Sequence, residues 1–327
     1  MLIRSPQDWE LPESQATDED AYLNRRRFLT ALGVGGLTAS GLALGGRSLL
    51  EATYAGEAKT QEKLKAKLNA AYKGAGRKQT AELAATRYNN FYEFGTGKDC
   101  WKNCQKFKLD PYALEVSGLV DKPGKLTLES IEKLGLEQRV YRFRCVEAWS
   151  MTVPWTGVPL AAVLKKVGVK SGAKYVAFKS FLDPKRAPGQ TKLKHYTWPY
   201  FEALRLDEAM NELAIVVTGI YGKRLPPQSG APLRVIVPWK YGYKGPKSVV
   251  KMVLSKTRPP TFWNTANPTE YSWLSNVEPT VPHPRWSQAT EKHISGLNAL
   301  KLPSFTRIPT QLYNGYGKQV ASLYKTS

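Results

Sequence analysis

Acid and cysteine are what this sequence has least of. Asp and Glu number 27 against 48 Lys and Arg, which leaves a formal net charge of +21 over 327 residues. The first 55 residues hold 5 basic and 7 acidic side chains, so the surplus belongs to residues 56–327, where 43 basic residues face 20 acidic ones. Such a balance suits an acidic partner, an anionic ligand or an anionic membrane surface, and much of it is an ordinary solvated face. It does not make a nucleic-acid binder, because zinc-finger spacing, a helix-turn-helix cue and an aromatic RNA-binding signature are all missing. Three cysteines cannot all pair, so at least one thiol is left over. There is no internal repeat and no flexible linker, and beyond the N-terminal segment no apolar run approaches membrane-spanning length. What the chain does have is 42% hydrophobic and 11% aromatic residues, enough for a sizeable core in one large domain or two ordinary ones.

The N-terminus carries the clearest local signal. Asn24-Arg25-Arg26-Arg27-Phe28-Leu29-Thr30 resembles the twin-arginine export motif, with Asn where Ser or Thr is usual. A weakly apolar, glycine-rich stretch runs from Phe28 to about Gly46 and gives way to Thr53-Tyr54-Ala55, a small-residue cleavage site. The competing reading is an uncleaved anchor, but six glycines from Gly33 to Gly46 dilute its hydrophobicity. Residues 1–55 are therefore read as a removable signal, and the mature protein as soluble outside the cytoplasm. The twin-arginine route carries proteins that have already folded, often around a cofactor, so a tightly bound cofactor is expected.

Residues 57–75 are expected to form a surface helix, with Leu64, Leu68, Ala71 and Tyr72 on one face and Gly74 and Gly76 near its end. This makes a helical lead-in over 56–85, ahead of one domain at 86–327. Tyr112, Leu114 and Val116 alternate as in a strand closed by a Lys122-Pro123-Gly124 turn, and a short helix comes next, from Leu128 to Leu134. Val140 to Val146 reads as a strand, with Tyr141, Phe143 and Cys145 on one face and Arg142 and Arg144 on the other. Pro159 opens a helix whose stripe is Leu160, Val163, Leu164 and Val167, ended by Gly168. Further strands are expected at 175–181, 213–218, 233–237 and 248–254. Strands and helices mix without a regular βαβ repeat, so the fold class is α+β. Beyond Pro259 the chain lacks periodicity and is expected to wrap the core as long ordered loops.

Cys100 and Cys104 lie four apart in a polar segment. Outside the cytoplasm a local disulfide competes with two free thiols, and the spacing matches neither a close zinc pair nor a haem-attachment motif. Cys145 is left single, and two readings of it stand. It is either a small hydrophobe in the core, or a thiolate favoured by the positive charge of Arg142 and Arg144. If the strand runs that far, its period of two also puts Glu147 on the side of Cys145.

Tyr141-Arg142-Phe143-Arg144-Cys145-Val146-Glu147-Ala148-Trp149-Ser150 resembles the cysteine motif of the sulfite oxidase-like molybdoenzymes, most nearly their methionine-sulfoxide-reducing branch. The stretches Tyr88 to Gly95, Leu225 to Gln228, Val237 to Gly242 and His283 to Thr290 are similar to the same family in the same order. The likeness covers nearly all of 86–325, plus the export signal. It implies a sulfite oxidase-type α+β fold with mixed β-sheets and a loop-rich C-terminal segment. It also implies one molybdenum-molybdopterin per chain, in the mononucleotide-free form, with Cys145 as the protein ligand to the metal. Asn89, Tyr92, Glu93, Arg234 and Gly245-Pro246-Lys247 match positions that contact the pterin. Guanidinium, ammonium and backbone N–H groups suit its phosphate. Ser180 and Ser229 stand where the family has Thr and Asn, and both still hydrogen-bond.

The activity this implies is reduction of methionine sulfoxide in oxidised envelope proteins, with Cys145 as thiolate ligand; Glu147, close to the thiol in sequence, is read as the proton handler. The family's electron source is a membrane haem-b subunit fed by quinol, here expected as a heterodimer partner. This chain shows neither a haem motif nor a span beyond its N-terminal segment, and its basic surface offers peripheral contact with the membrane. Two rivals remain at this level. One is sulfite oxidation on the same fold, which calls for a cluster of arginines at the substrate pocket. The other is a non-enzymatic basic envelope protein that binds anionic ligands, with Cys145 structural.

Overall fold

A computed structural model describes residues 61–298 and 302–325. The export segment assigned to 1–55 lies outside these residues, as does the start of the helix expected over 57–75. In chain order the strands are β1 Lys67–Leu68, β2 Leu114–Gly118, β3 Gly124–Leu126, β4 Glu137–Arg144, β5 Trp149–Pro159, β6 Tyr175–Ser180 and β7 Phe201–Arg205. They continue as β8 Ile215–Ile220, β9 Lys223–Arg224, β10 Arg234–Ile236, β11 Val249–Ser255, β12 Thr290–Leu297 and β13 Pro303–Pro309. Among the helices are α1 Glu82–Arg87, α2 Trp101–Cys104, α3 Leu128–Glu132 and α4 Leu160–Val167.

These strands form two mixed sheets. The larger runs β1-β4-β5-β12-β13, with β8 also paired to β5, and β9 and β10 paired to β8. The smaller runs β3-β2-β11-β6-β7. Parallel pairs (β1 with β4, β5 with β12, β2 with β11) sit among antiparallel ones, as the α+β reading requires. The hub is β5. Its sequence Trp-Ser-Met-Thr-Val-Pro-Trp-Thr-Gly-Val-Pro is buried along almost its whole length. Its first two residues pair with β12 and its last five with β8, while β4 lies along most of it. A strand flanked on every side reads as a continuous run rather than an alternation. α4 begins after Pro159 and buries Leu160, Val163, Leu164 and Val167, the stripe read from the sequence, against β5 and β8. A separate small core gathers Phe91, Phe94, Phe107, Phe181, Cys100 and Cys104 under the loop that enters the domain.

Three expectations need correction. Over 61–75 the chain is not a helix: β1 runs parallel to the start of β4, and Ala70–Tyr72 is a single 3-10 turn capped by Asn69. Leu64 and Leu68 imitate a helical stripe, but Leu68 is exposed, and the open edge of β4 supplies the backbone partners instead. The first helix comes later, at α1. Beyond Pro259 the loops are present, yet β12 and β13 add an antiparallel hairpin. The buried positions of β12 include Glu291 and His293, so no apolar alternation announces the strand. Cys100 and Cys104 are free thiols, each donating to a backbone carbonyl, of Asn89 at 3.3 Å and of Trp101 at 3.4 Å. Both are buried, and burial pushes each thiol up, Cys104 to about 12.

If the α4 stripe is core, Leu164→Ala should cost about 2–5 kcal/mol of stability. A urea midpoint that does not move would overturn that assignment.

Candidate active site

β4 ends at Arg144, one residue before the thiol, so Cys145 sits on a turn rather than on the strand. Cys145 N donates to Trp149 O at 2.9 Å, and Ala148 N returns to Cys145 O at 3.2 Å. Ala148 takes a left-handed φ of 62° to close the loop. Glu147 thus reaches the thiol through the turn and not through strand alternation. Its N–H donates to Cys145 Sγ at 3.4 Å, and Sγ lies 3.9 Å from Glu147 Oε2. The turn is anchored from outside, because Trp286 Nε1 and Gln288 Nε2 both donate to Val146 O at 2.8 Å. Arg144, wholly buried, donates to Cys145 O, to Glu291 Oε2 at 3.0 Å and to Gln288 Oε1 at 2.8 Å.

The electrostatics reverse one expectation. Burial pushes the Cys145 thiol up to about 12, and the neighbouring Glu147 carboxylate adds to this, outweighing Lys98 and Arg144. The arginines read as activating the thiol are spent elsewhere: Arg142 turns to Gln311, Asn314 O and Ala75 O, Arg144 to Glu291. Glu147 goes the other way. Burial raises it, but Lys98 and the donors Asn90 and Trp149 hold its carboxyl below the usual range. Lys98 Nζ is 2.6 Å from Oε2, Asn90 Nδ2 2.9 Å and Trp149 Nε1 3.0 Å. Glu147 is therefore an ionised carboxylate held through its Oε2.

The thiol opens onto a cavity of about 450 Å³. Asn89, Tyr92, Glu93, Ser229, Arg234, Gly245, Pro246 and Lys247 line it together with Cys145 and Glu147. Ser180 does not reach the cavity. It is a buttress, donating to Lys247 O at 2.7 Å and so holding the backbone beneath that lysine. Lys247 Nζ in turn donates to Asn90 O at 2.7 Å and Gln228 O at 2.9 Å. Arg234 is buried with carbonyls as partners, Ser229 O at 3.0 Å and Gly245 O at 3.4 Å, and its guanidinium stacks 5.0 Å over Trp155. Burial lowers both cations, Arg234 to about 9 and Lys247 to about 8. It raises Glu93 to about 7. Gly245 is required sterically, since a Cβ there would stand 2.4 Å from Val235 O.

Sequence reasoning left several of these groups out. Asn90 and Trp149 stood inside motifs singled out above without a role. Lys98 had no signal at all, since only the loop from 88 to 98 brings it back onto Glu147. Trp263, Tyr271, Arg285 and Trp286 line the same cavity. They come from the stretch beyond Pro259 where no periodicity marked them.

Residues 102–263 match the family model for the oxidoreductase molybdopterin binding domain. Among curated proteins, the chain is 47% identical to the protein-methionine-sulfoxide reductase catalytic subunit of Xanthomonas axonopodis, over 96% of this chain and 95% of that one. It is 46% identical to the protein of that name from Gluconobacter oxydans (99% and 97% covered) and 45% to that of Burkholderia mallei (97% and 93%).

In cofactor-free protein, alkylation of Cys145 by iodoacetamide should be slow at pH 8 and keep accelerating towards pH 12, with Cys100→Ser and Cys104→Ser as background. An apparent thiol pKa below 9 would contradict the burial argument.

Proposed function

The chain belongs to the protein-methionine-sulfoxide reductase catalytic subunits, oxidoreductases built on a molybdopterin-binding domain and carrying molybdenum, and we propose that it repairs oxidised envelope proteins in the periplasm. The observation that carries this reading is the convergence of ten expected residues, the Cys145 thiol among them, on one cavity. Methionine sulfoxide is a reversible lesion, so reducing it is a repair. The sulfoxide takes two electrons and two protons and leaves as thioether and water. A haem-binding membrane subunit is the proposed electron donor, and the basic body suits docking close to an anionic surface.

The cavity suits an anionic cofactor. Arg234 and Trp155 line the cavity, and Arg234 Nε and Trp155 Nε1 are buried with no hydrogen-bond partner among the described residues. The cations Arg234 and Lys247 sit on carbonyls, leaving their charge for an anion. Among the described residues, no three of His, Cys, Asp and Glu cluster to hold a metal by themselves. A metal would therefore take most of its ligands from the cofactor, with Cys145 as the protein thiolate. Bound there, molybdenum-molybdopterin would supply a two-electron donor that accepts the sulfoxide oxygen.

The protein's own part is positional and protonic. Arg234, Lys247 and the Gly245–Lys247 backbone would hold the anionic end of the cofactor, with Asn89, Tyr92, Glu93 and Ser229 around the pterin and Ser180 beneath Lys247. Glu147, ionised beside the thiol, is placed to accept a proton arriving through Lys98, whose side chain is 31% exposed. Sulfite oxidation fits less well. The cavity wall carries two arginines, of which Arg234 is assigned to the anionic end of the cofactor and Arg285 is paired with Glu270.

Cys145→Ala should fold but bind little molybdenum and reduce no methionine sulfoxide, as read by metal analysis and turnover. Arg234→Met should melt no lower than wild type, because an unpaired buried cation is replaced by an apolar chain, yet retain cofactor about tenfold less well. Full molybdenum and activity in both variants would overturn the site assignment.

A further inference from the structure

The part of the cavity wall contributed by the segment beyond Pro259 is largely aromatic. Trp263 and Tyr271 stand 5.0 Å apart, and Tyr92 lies 5.0 Å from Trp263. Trp286 also lines the cavity and stacks flat on His283, with centroids 3.7 Å apart at 3°. Trp263 and Trp286 are half-buried, Tyr271 is buried, and all three line the cavity. Two ordered links keep this wall in place. Trp286 is tied by its indole N–H to Val146 O in the Cys145 turn. On its outer side, Glu270 Oε2 lies 2.7 Å from Arg285 Nη2 and 3.3 Å from His283 Nε2. Arg285 N donates to His283 Nδ1 at 3.2 Å, which puts the ring proton on Nε2, facing Glu270. Arg285 itself lies 4.9 Å over the Trp286 ring, so Glu270 orders both the stack and the guanidinium above it.

We propose that Trp263, Tyr271 and Trp286 are the wall that recognises the sulfur-bearing side chain of the substrate, and that Glu270 is the positioning residue that keeps the wall in shape. The inference rests on the sulfoxide-reductase reading and names how that substrate is chosen. A methyl sulfoxide and its thioether product are uncharged, with an apolar methyl and a polarizable sulfur. Both are attracted to aromatic faces and edges. A small dianion is not, because ring faces are electronegative. The wall therefore selects for methionine-type side chains by the surface it offers, without a dedicated charge. Its Trp286 leg shares a carbonyl with the thiol turn, so the side chain is held in register with Cys145.

The test uses the molybdenum-loaded enzyme with N-acetyl-methionine sulfoxide amide as substrate. Binding of the product, N-acetyl-methionine amide, is measured separately by calorimetry. Trp263→Leu and Tyr271→Leu should each raise KM and weaken thioether binding about tenfold while kcat falls much less, and Trp263→Phe should recover most of the loss. Glu270→Gln, which keeps the shape but not the charge, should raise KM by a few-fold and leave molybdenum content unchanged. Unchanged KM and thioether binding in all the variants, with wild type active, would overturn the wall alone. So would a fall in kcat at constant KM. Wild-type enzyme inactive on any methionine sulfoxide would remove the underlying reading and this one with it.

Discussion

A buried ion pair between Arg144 and Glu291 holds the turn on which the candidate site depends. Both side chains are sealed from solvent, and Arg77 and the Ser150 hydroxyl, at 3.0 Å, also engage Glu291. A pair in that position is not a large source of net stability, since desolvating two ions consumes much of the Coulomb gain. Its effect is geometric. Among the described residues Arg144 has no other acidic ion-pair partner, so its guanidinium must face β12, and in that pose it reaches back to the Cys145 carbonyl. The thiol's turn is thereby fixed by a strand almost 150 residues away in sequence. Trp286 and Gln288, from the approach to that strand, complete the clamp on Val146.

The opposite arrangement governs the rest of the cavity. Arg234 and Lys247 are held by carbonyl dipoles and aromatic faces. Carbonyls satisfy N–H groups without cancelling charge, and burial lowers both cations, although Glu93 opposes this at Lys247. Polar interiors usually settle such costs by pairing. Here the unpaired state is built in, by a glycine at 245 that lets backbone approach and by Ser180 supporting the Lys247 carbonyl. An anionic guest is the partner this arrangement lacks. Around Cys145 the field has the other sign: the Glu147 carboxylate and the low-polarity surroundings both keep the bare thiol protonated.

How much of this could be read beforehand depended on whether neighbours in space were neighbours in sequence. The α4 stripe was legible because the helix puts Leu160, Val163, Leu164 and Val167 on one face by its own period. β2, β6, β8, β10 and β11 were legible to within a few residues for the same kind of reason. β12 was not, because its inward residues include Glu291 and His293, whose burial is meaningful only once Arg144 and Ser150 are beside them. The 57–75 helix failed because a leucine spacing of four does not reveal whether a sheet edge is waiting nearby. In the site, Cys145 and its cavity companions were found through motif likeness. Lys98, Trp263 and Tyr271 escaped, since each acts through loops whose course no local pattern encodes, and Trp286 stood inside a motif that gave it no role.

By itself the sequence determined a basic, aromatic-rich α+β chain with one thiol set apart, the family to which its motifs belong, and the residues that would surround that thiol. Composition, period and motif are properties of residues close along the chain. Tertiary structure alone decided the charge state and setting of those groups. It turned Cys145 from the end of a strand onto a clamped turn, diverted Arg142 and Arg144 to distant partners, and gave Glu147 to Lys98. The physical reason is that burial and charge pairing depend on contacts between segments far apart in sequence, and at a buried thiol those terms outweigh the charges written beside it.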